Sequence, residues 1–342
     1  MDNKQIIFTR PGVAELLDCP LADTLSDMQV LVRTVYTVIS AGTERANLIG
    51  EINISGKIED CNDRFPRKLG YCGVGVVEAV GKGVTKVKPG DRVVTYFGKH
   101  SQFNILPETH VFPIRQSNVT DLDAALMVIA GFPAEGVRKA RIEYGESAMI
   151  VGLGILGLIG VKLAQLAGAV PVIAVDPNPE RRELAMQFGA DHVLDPTAPD
   201  FRETLLSLTG GRGANVVVEA SGNSKALRQA LRCCAPMARV TLLGCTREPD
   251  TYDLYHDVHF PGISMIGAHN FARPKVESYP GNWTAEDDIQ AMLRMISYGR
   301  MDLKPLISEI HSPNEAFEVF DRLANDPKFP IGVAFDWRQL KV

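Results

Sequence analysis

The sequence predicts an α/β protein in which a doubly wound parallel sheet is set into a second, β-rich domain. Three observations carry that prediction. A G-x-G-x-x-G motif follows a short apolar run and opens a helix. From Ala148 to Gly267, short apolar strands alternate with amphipathic helices, the signature of a parallel sheet covered on both faces. Before Met127 the apolar period is two, broken by Gly and Pro turns, as in half-buried strands. The 342 residues exceed what one core usually serves, so two domains are expected.

In chain order, Gln29 to Tyr36, Val74 to Val80 and Arg92 to Tyr96 alternate as strands. Gly81-Lys82-Gly83 and Lys88-Pro89-Gly90-Asp91 supply turns. Gly42 to Phe65 is polar and irregular and is expected to be a long loop covering a cleft. Val128 to Ala140 has a helical period. Strands follow at 148–152, 171–176, 192–194, 214–219, 238–244 and 263–267. The helices between them fall near 155–168, 179–188, 200–209 and 224–234. After Gly267 a polar, Pro-rich stretch runs to Trp283, and a helix is expected from Ala285 to Tyr298. No internal repeat or low-complexity segment stands out.

Composition excludes several classes. Hydrophobic residues at 45% and charged residues at 23% are ordinary for a soluble globular enzyme. A formal charge of −5, with no basic run, argues against a nucleic-acid partner. The longest apolar run, Ala148 to Val161, falls short of the ~18 residues a membrane span needs. No membrane partner is expected, and with no signal-like core at the N-terminus a cytoplasmic location is. The cysteines, at 19, 61, 72, 233, 234 and 245, contain no C-x-x-C. Cys233–Cys234 sits inside a helical pattern, and neither a disulfide framework nor a zinc cluster is written here.

The motif itself is Gly152, Gly154 and Gly157, with Ile155 and Leu156 opening the helix. Gly152 permits a tight turn, Gly154 lets a pyrophosphate approach the backbone, and Gly157 lets helix and strand pack closely. The helix start offers free N–H groups and a positive dipole end to phosphate. Asp176 ends the next apolar run, where an acid can accept two ribose hydroxyls but repels a 2′-phosphate. NAD is therefore expected as cofactor, with NADP the less favoured choice. Ala220, Ser221, Leu243, Gly244 and Cys245 fall at strand ends facing the same groove, where backbone contacts should dominate.

Four blocks in order carry a family resemblance: LGYCGVGVVEAVGKGVTKVKPGDRV (69–93), VGLGILGLIGVKLAQLAGA (151–169), GGRGANVVVEASG (210–222) and ARVTLLG (238–244). The chain resembles the medium-chain dehydrogenase/reductase superfamily of alcohol, polyol and threonine dehydrogenases. The resemblance implies a GroES-like catalytic domain from 1–127 and 268–342, with a Rossmann domain at 128–267 and an active site in the cleft between them. It implies a homodimer or homotetramer. Arg181 matches a basic residue that packs near the adenine ribose in NAD-using relatives.

Departures from the family pattern are informative. Zinc-using members hold the metal with a Cys, a His and one or two Glu. Here the matching positions read Ala41, Tyr71, Cys72 and Val128, and the four-cysteine structural-zinc lobe is missing between Arg92 and Phe103. Ala and Val cannot ligate, and Tyr is a poor zinc partner. A metal-free enzyme is expected. Hydrogen-bond donors and a general acid/base must then do what zinc would do.

The candidates are Tyr71, at a former ligand position; Thr43, which matches a substrate-hydroxyl partner in relatives; and Glu44, orienting Tyr71 or pairing with Arg45. His100 is the attractive titrating group, and Lys99 is expected to lower a neighbouring tyrosine's pKa. Phe97 is expected as an apolar wall of the substrate pocket, with His269 and Asn270 near it.

The reading that emerges is a zinc-independent, NAD-dependent dehydrogenase acting on a small polyhydroxylated substrate such as a sugar, polyol or cyclitol. Asn270, Arg273, Lys275 and Asn282 are expected to offer donors to its hydroxyls. An NADPH-type enoyl or quinone reductase, and a nucleotide-binding protein without catalysis, are the alternatives. A sub-branch of the family with S-A-G-T-E in place of the metal motif also includes enzymes acting on a large flat bacteriochlorophyllide.

Overall fold

The computed structural model describes residues 1–51, 65–246 and 249–341. The chain divides into two compact units, residues 1–129 with 289–342, and residues 130–288. The first unit opens with strands β1 (Lys4–Arg10), β2 (Val13–Asp18) and β3 (Gln29–Val38), then helix α1 (Ala41–Leu48). It continues through β4 (Arg67–Lys68), β5 (Cys72–Val80), β6 (Arg92–Tyr96), β7 (Phe103–Pro107), β8 (Val111–Pro113) and α2 (Asp121–Ala125). Helix α3 (Met127–Ala140) carries the chain into the second unit. There β9 (Ala148–Val151), α4 (Ile155–Leu166), β10 (Val172–Val175), α5 (Pro179–Gln187) and β11 (His192–Leu194) are followed by α6 (Phe201–Leu208) and β12 (Ala214–Glu219). Helix α7 (Ser224–Leu231), β13 (Cys234–Leu242) and β14 (Ser264–Gly267) complete its sheet. Helix α8 (Ala285–Ser297) leads back to β15 (Glu309–His311), α9 (Ala316–Asn325) and β16 (Val333–Asp336).

In the first unit, β3, β5, β6 and β8 pair in sequence with β16 and β15, and β7 pairs with β3, giving a seven-stranded sheet. A small sheet, β2-β1-β4, adjoins it. The apolar faces of β1 and α9 meet in a core of Phe8, Phe320 and Phe335, with Phe8 and Phe320 edge to face at 4.9 Å. The second unit is a six-stranded sheet in the order β11-β10-β9-β12-β13-β14, parallel throughout. Order reverses between β9 and β12, the kind of switch point where open α/β sheets bind ligands. Strands β9 and β10 are buried along their whole length, as continuous apolar runs require in a sheet covered on both faces.

Three expectations are corrected. Gly42–Phe65 is not one long loop, because residues 41–48 form α1; residues 52–64 lie outside the described residues. Cys233 and Cys234 are not helical. Helix α7 ends at Leu231 and Cys234 pairs with Ala214 in the sheet, a long-range partner that overrides local period. The second unit also extends to Asp288 rather than Gly267. Its last segment is tied to α3 by Arg273, which pairs with Glu135 and donates to the Gly131 carbonyl at 2.7 Å, and by Lys139, which donates to the Gly267 and Ala272 carbonyls. Arg138 adds a bond to Asp288 at 2.6 Å and stacks on the Trp283 ring at 3.7 Å.

Candidate functional site

Each unit carries a polar site of its own. In the second, a cavity of about 480 Å³ opens beside the glycine motif. Gly152, Gly154, Asp176, Arg181, Ala220 and Ser221 all line it, as the sequence leads one to expect. Gly152 adopts φ +87°, and a Cβ there would lie 2.7 Å from the Ser221 backbone. A Cβ on Gly157 would lie 1.8 Å from the Gly152 carbonyl oxygen, so that glycine serves packing. Gly154 has nothing within 4 Å of its absent Cβ, leaving its backbone open to a ligand. Asp176 is 5% exposed. Its Oδ2 accepts the Leu153 N–H at 2.7 Å and its Oδ1 the Asn178 N–H at 2.8 Å, so backbone donors fix the carboxylate before any ligand arrives. Arg181 Nη1 stands 3.9 Å from Asp176 Oδ2.

Ile155, Leu156, Leu243, Gly244 and Cys245 are not among the lining residues of this cavity. Leu243 is buried instead, and a Cβ on Gly244 would lie 2.3 Å from the Gly222 nitrogen, a packing role. Sequence reasoning missed Glu219, Asn223 and Lys225. Asn223 and Lys225 line the cavity around the start of α7. Glu219, fully buried at the end of β12, accepts hydrogen bonds from the Ser221 N–H at 2.7 Å, the Ser221 hydroxyl and the Gly222 N–H. Burial pushes its carboxyl above the ordinary glutamate value, against those bonds. An acid ending an apolar strand was the available signal, read at Asp176 and overlooked at Glu219.

In the first unit, the candidates around the former ligand positions are brought together, but not in the expected roles. Tyr71 donates its hydroxyl proton to Ser40 Oγ at the start of α1, and the Thr43 hydroxyl is a second hydrogen-bond partner. Burial first, and the negative charge of Glu44 after it, push the Tyr71 phenol well above the usual tyrosine value. That reverses the expectation that Lys99 would lower it. Lys99 is half-buried, and desolvation lowers its own pKa while Glu44 opposes that shift. Phe97 holds φ +54°, a strained position for an aromatic residue, and packs its ring on Tyr71 at 5.7 Å and on Tyr96 at 4.6 Å.

His100 is corrected most. Expected as the titrating group of the site, it is 1% exposed with both ring nitrogens engaged, Nδ1 at 2.7 Å from Thr37 Oγ1 and Nε2 at 2.8 Å from Glu44 Oε2. Glu44 thus pairs with His100 and not with Arg45, whose guanidinium donates to the Ala324 carbonyl. Thr43 is exposed on α1.

His269 and Asn270 belong to the second unit, His269 exposed with its ring tilted 56° to that of Phe271 at 5.3 Å, Asn270 buried. Arg273, expected to offer donors to substrate, is consumed by Glu135, Asp288 and the Gly131 carbonyl.

The residues at the four metal-ligand positions do not suit a zinc ion. Ala41 and Val128 have no donor atom, and Tyr71 is turned to Ser40. The Cys72 thiol donates to the Ala125 carbonyl at 2.8 Å, accepts the Ile129 N–H, and is pushed up to about 12 by burial. Among the described residues, no group of three or more His, Cys, Asp or Glu could hold a metal ion. Among the same residues, no helix is long and apolar enough to cross a membrane.

Two family profiles match: "Alcohol dehydrogenase GroES-like domain" over residues 26–116, and "Zinc-binding dehydrogenase" over residues 156–285. The chain is 33% identical over 286 residues to L-threonine 3-dehydrogenase from Symbiobacterium thermophilum, covering 75% of this chain and 79% of that protein. D-guloside 3-dehydrogenase from Escherichia coli K12 is 27% identical over 354 residues, 97% of this chain and all of that one. A dehydrogenase from Sinorhizobium meliloti 1021, solved bound to NADP, superposes with a TM-score of 0.81 at 21% identity, covering 98% of this chain and 99% of that chain, a likeness of fold.

Proposed function

The chain belongs to the medium-chain dehydrogenase superfamily, and on that premise we propose that it is a zinc-independent, NAD-dependent enzyme interconverting a secondary alcohol and a ketone on a polyhydroxylated substrate such as a sugar, polyol or cyclitol. A pyridine-nucleotide-dependent reaction at a CH–OH group follows from the family itself. The zinc-independent part rests on one observation: the Tyr71 hydroxyl is directed at Ser40 and the Cys72 thiol at backbone, where zinc-using relatives place ligands. The preference for NAD is supported by Asp176, whose buried carboxylate faces the cavity where a 2′-phosphate would have to sit. The likeness to an enzyme named for a guloside supports the substrate class.

When bound, the dinucleotide supplies the hydride acceptor or donor. Asp176 would receive ribose hydroxyls on a carboxylate already oriented by Leu153 and Asn178, and the open backbone at Gly154 would lie against the pyrophosphate. Tyr71 is a protonated phenol at neutral pH, as any tyrosine is, and burial shifts it further from ionisation. To steady negative charge on the substrate oxygen, a task a Lewis acid would otherwise perform, its single O–H turns from Ser40 Oγ to that oxygen. The Ser40 and Thr43 hydroxyls, its hydrogen-bond partners, are then placed to donate to the Tyr71 oxygen.

The experiment is a panel of ketoses, polyols and α,β-unsaturated ketones, assayed with NAD and NADP, with and without a chelator. Turnover of a secondary alcohol with NAD, indifferent to the chelator and lowered about a hundredfold in Tyr71→Phe, is expected. Activity lost to the chelator and restored by zinc overturns the proposal.

A further inference from the structure

One buried chain of hydrogen bonds in the first unit has no part in the roles above. The Trp337 indole N–H donates to Thr37 Oγ1 at 3.0 Å. Thr37 Oγ1 lies 2.7 Å from His100 Nδ1, and His100 Nε2 lies 2.8 Å from Glu44 Oε2. Glu44 Oε1 accepts the Ser40 N–H at 3.0 Å. All five residues are less than a tenth exposed.

The donor inventory fixes the direction of this chain. An indole only donates, so Thr37 is the acceptor there, and its own proton has one remaining partner, His100 Nδ1. Nδ1 is then the acceptor, the ring carries its proton on Nε2, and that proton faces the Glu44 carboxylate. The side-chain polar hydrogens of Trp337, Thr37 and His100 are all matched in that arrangement. An imidazolium would leave the Thr37 proton without a partner, at the usual cost of a buried orphan.

Two links run from this chain to Tyr71. Ser40, held through its N–H by Glu44, receives the Tyr71 hydroxyl. Gly70, the residue before Tyr71, adopts φ +97° with its backbone against His100; a Cβ there would lie 2.4 Å from the His100 nitrogen and 2.9 Å from the ring. The His100 N–H also donates to the Leu69 carbonyl at 3.0 Å.

We propose that Trp337, Thr37, His100 and Glu44 form a buried relay of positioning residues that locks the Ser40–Tyr71 hydroxyl pair, with His100 a neutral Nε2–H imidazole and not the proton donor to substrate. The part of this that concerns turnover rests on Tyr71 being the partner of the substrate oxygen. The relay holds the two hydroxyls where one buried hydrogen-bond network can support them.

The test joins a spectroscopic arm to a kinetic one. In protein labelled with ¹⁵N-histidine, long-range ¹H–¹⁵N correlation should report His100 as the Nε2–H tautomer. Thr37→Val keeps the side chain's shape and removes the hydroxyl. It should change that signature and lower kcat about tenfold with KM nearly constant, the worth of one buried hydrogen bond. Thr37→Ser restores the hydroxyl and should keep kcat within about twofold of the parent. If Thr37→Val does not fold, Trp337→Phe removes the terminal donor and should move both readouts in the same direction. An imidazolium or Nδ1–H ring in the parent protein overturns the relay, and so does unchanged kcat in a folded Thr37→Val. If the parent turns over no secondary alcohol, the dehydrogenase reading fails by itself, and the tautomer still decides the relay.

Discussion

Asp176 and Glu44 are both carboxylates buried to within a few percent, one in each unit, and their surroundings differ in kind. Asp176 is held by the N–H groups of Leu153, inside the glycine motif, and Asn178, two residues on. Glu44 is held by one backbone N–H and by His100, 56 positions away, which itself leans on Thr37 and Trp337. Backbone donors do not depend on which side chains surround them, so the first carboxylate is written into a short local motif. The second exists only once three distant segments, around Thr37 to Glu44, His100 and Trp337, have packed together. A site of the first kind tolerates changes in its neighbours; one of the second kind fails when any member is lost.

The largest expected effect separates packing from recognition within the local motif. Gly157→Ala places a methyl 1.8 Å from the Gly152 carbonyl oxygen, a backbone group that cannot yield cheaply. It should cost upward of ~3 kcal/mol in urea unfolding, as overpacking against backbone does. Gly154→Ala meets nothing within 4 Å. Its stability should stay within about 0.5 kcal/mol of the parent, while NADH binding, followed by nucleotide fluorescence, weakens. If Gly154→Ala leaves binding intact, the open backbone at that position does not face the pyrophosphate.

What could be read from the sequence follows the same division. The strands and helices of the second unit fall within a few residues of where period and punctuation put them, because each is a local pattern. Its dinucleotide cavity is lined by six of the predicted residues for the same reason. The former metal positions could be read as departures from a family, but what replaced the metal could not. Ser40 adjoins the altered block and carried a weak signal. Trp337, 300 positions from Thr37, carried none. His100 reads in the sequence as a titrating group of the site because nothing near it announces the buried acid that engages it, and Arg273 looked available because its partners Glu135 and Asp288 lie on other elements.

A smaller effect tests whether Glu219 is a backbone-bound carboxylate of the Asp176 kind or one strained by burial. Its pKa in the folded chain is raised above the ordinary value of 4.5, with desolvation the leading cause. Between those two values the folded state holds the proton more tightly than the unfolded chain does. The stability this lends is therefore fully present below pH 4.5 and is lost as pH rises through the folded value. Glu219→Gln keeps an oxygen for Ser221 and Gly222 and removes the titration. The difference in unfolding free energy, parent minus variant, should fall as pH is raised from 4.5 toward neutrality. A difference that grows with pH would mean that the three hydrogen bonds outweigh burial, and that Glu219 belongs with Asp176 after all.

The smallest effect is an expected absence of reaction, and it bears on the other carboxylate's neighbourhood. Cys72 stands where zinc-using relatives carry a ligand, so an open pocket there would leave a reachable, ionisable thiol. Its sulfur instead bonds the Ala125 carbonyl and the Ile129 N–H, and burial raises its pKa to about 12. The thiolate is the reactive form, so alkylation near neutral pH should pass Cys72 by while consuming the exposed Cys245 in the same sample. Peptide mass spectrometry after iodoacetamide treatment reads both sites at once, with Cys245 as the internal control. Rapid labelling of Cys72 in folded protein would mean that the region opens in solution, and the Tyr71–Ser40 pair could then not depend on the closed packing that Glu44 and His100 provide.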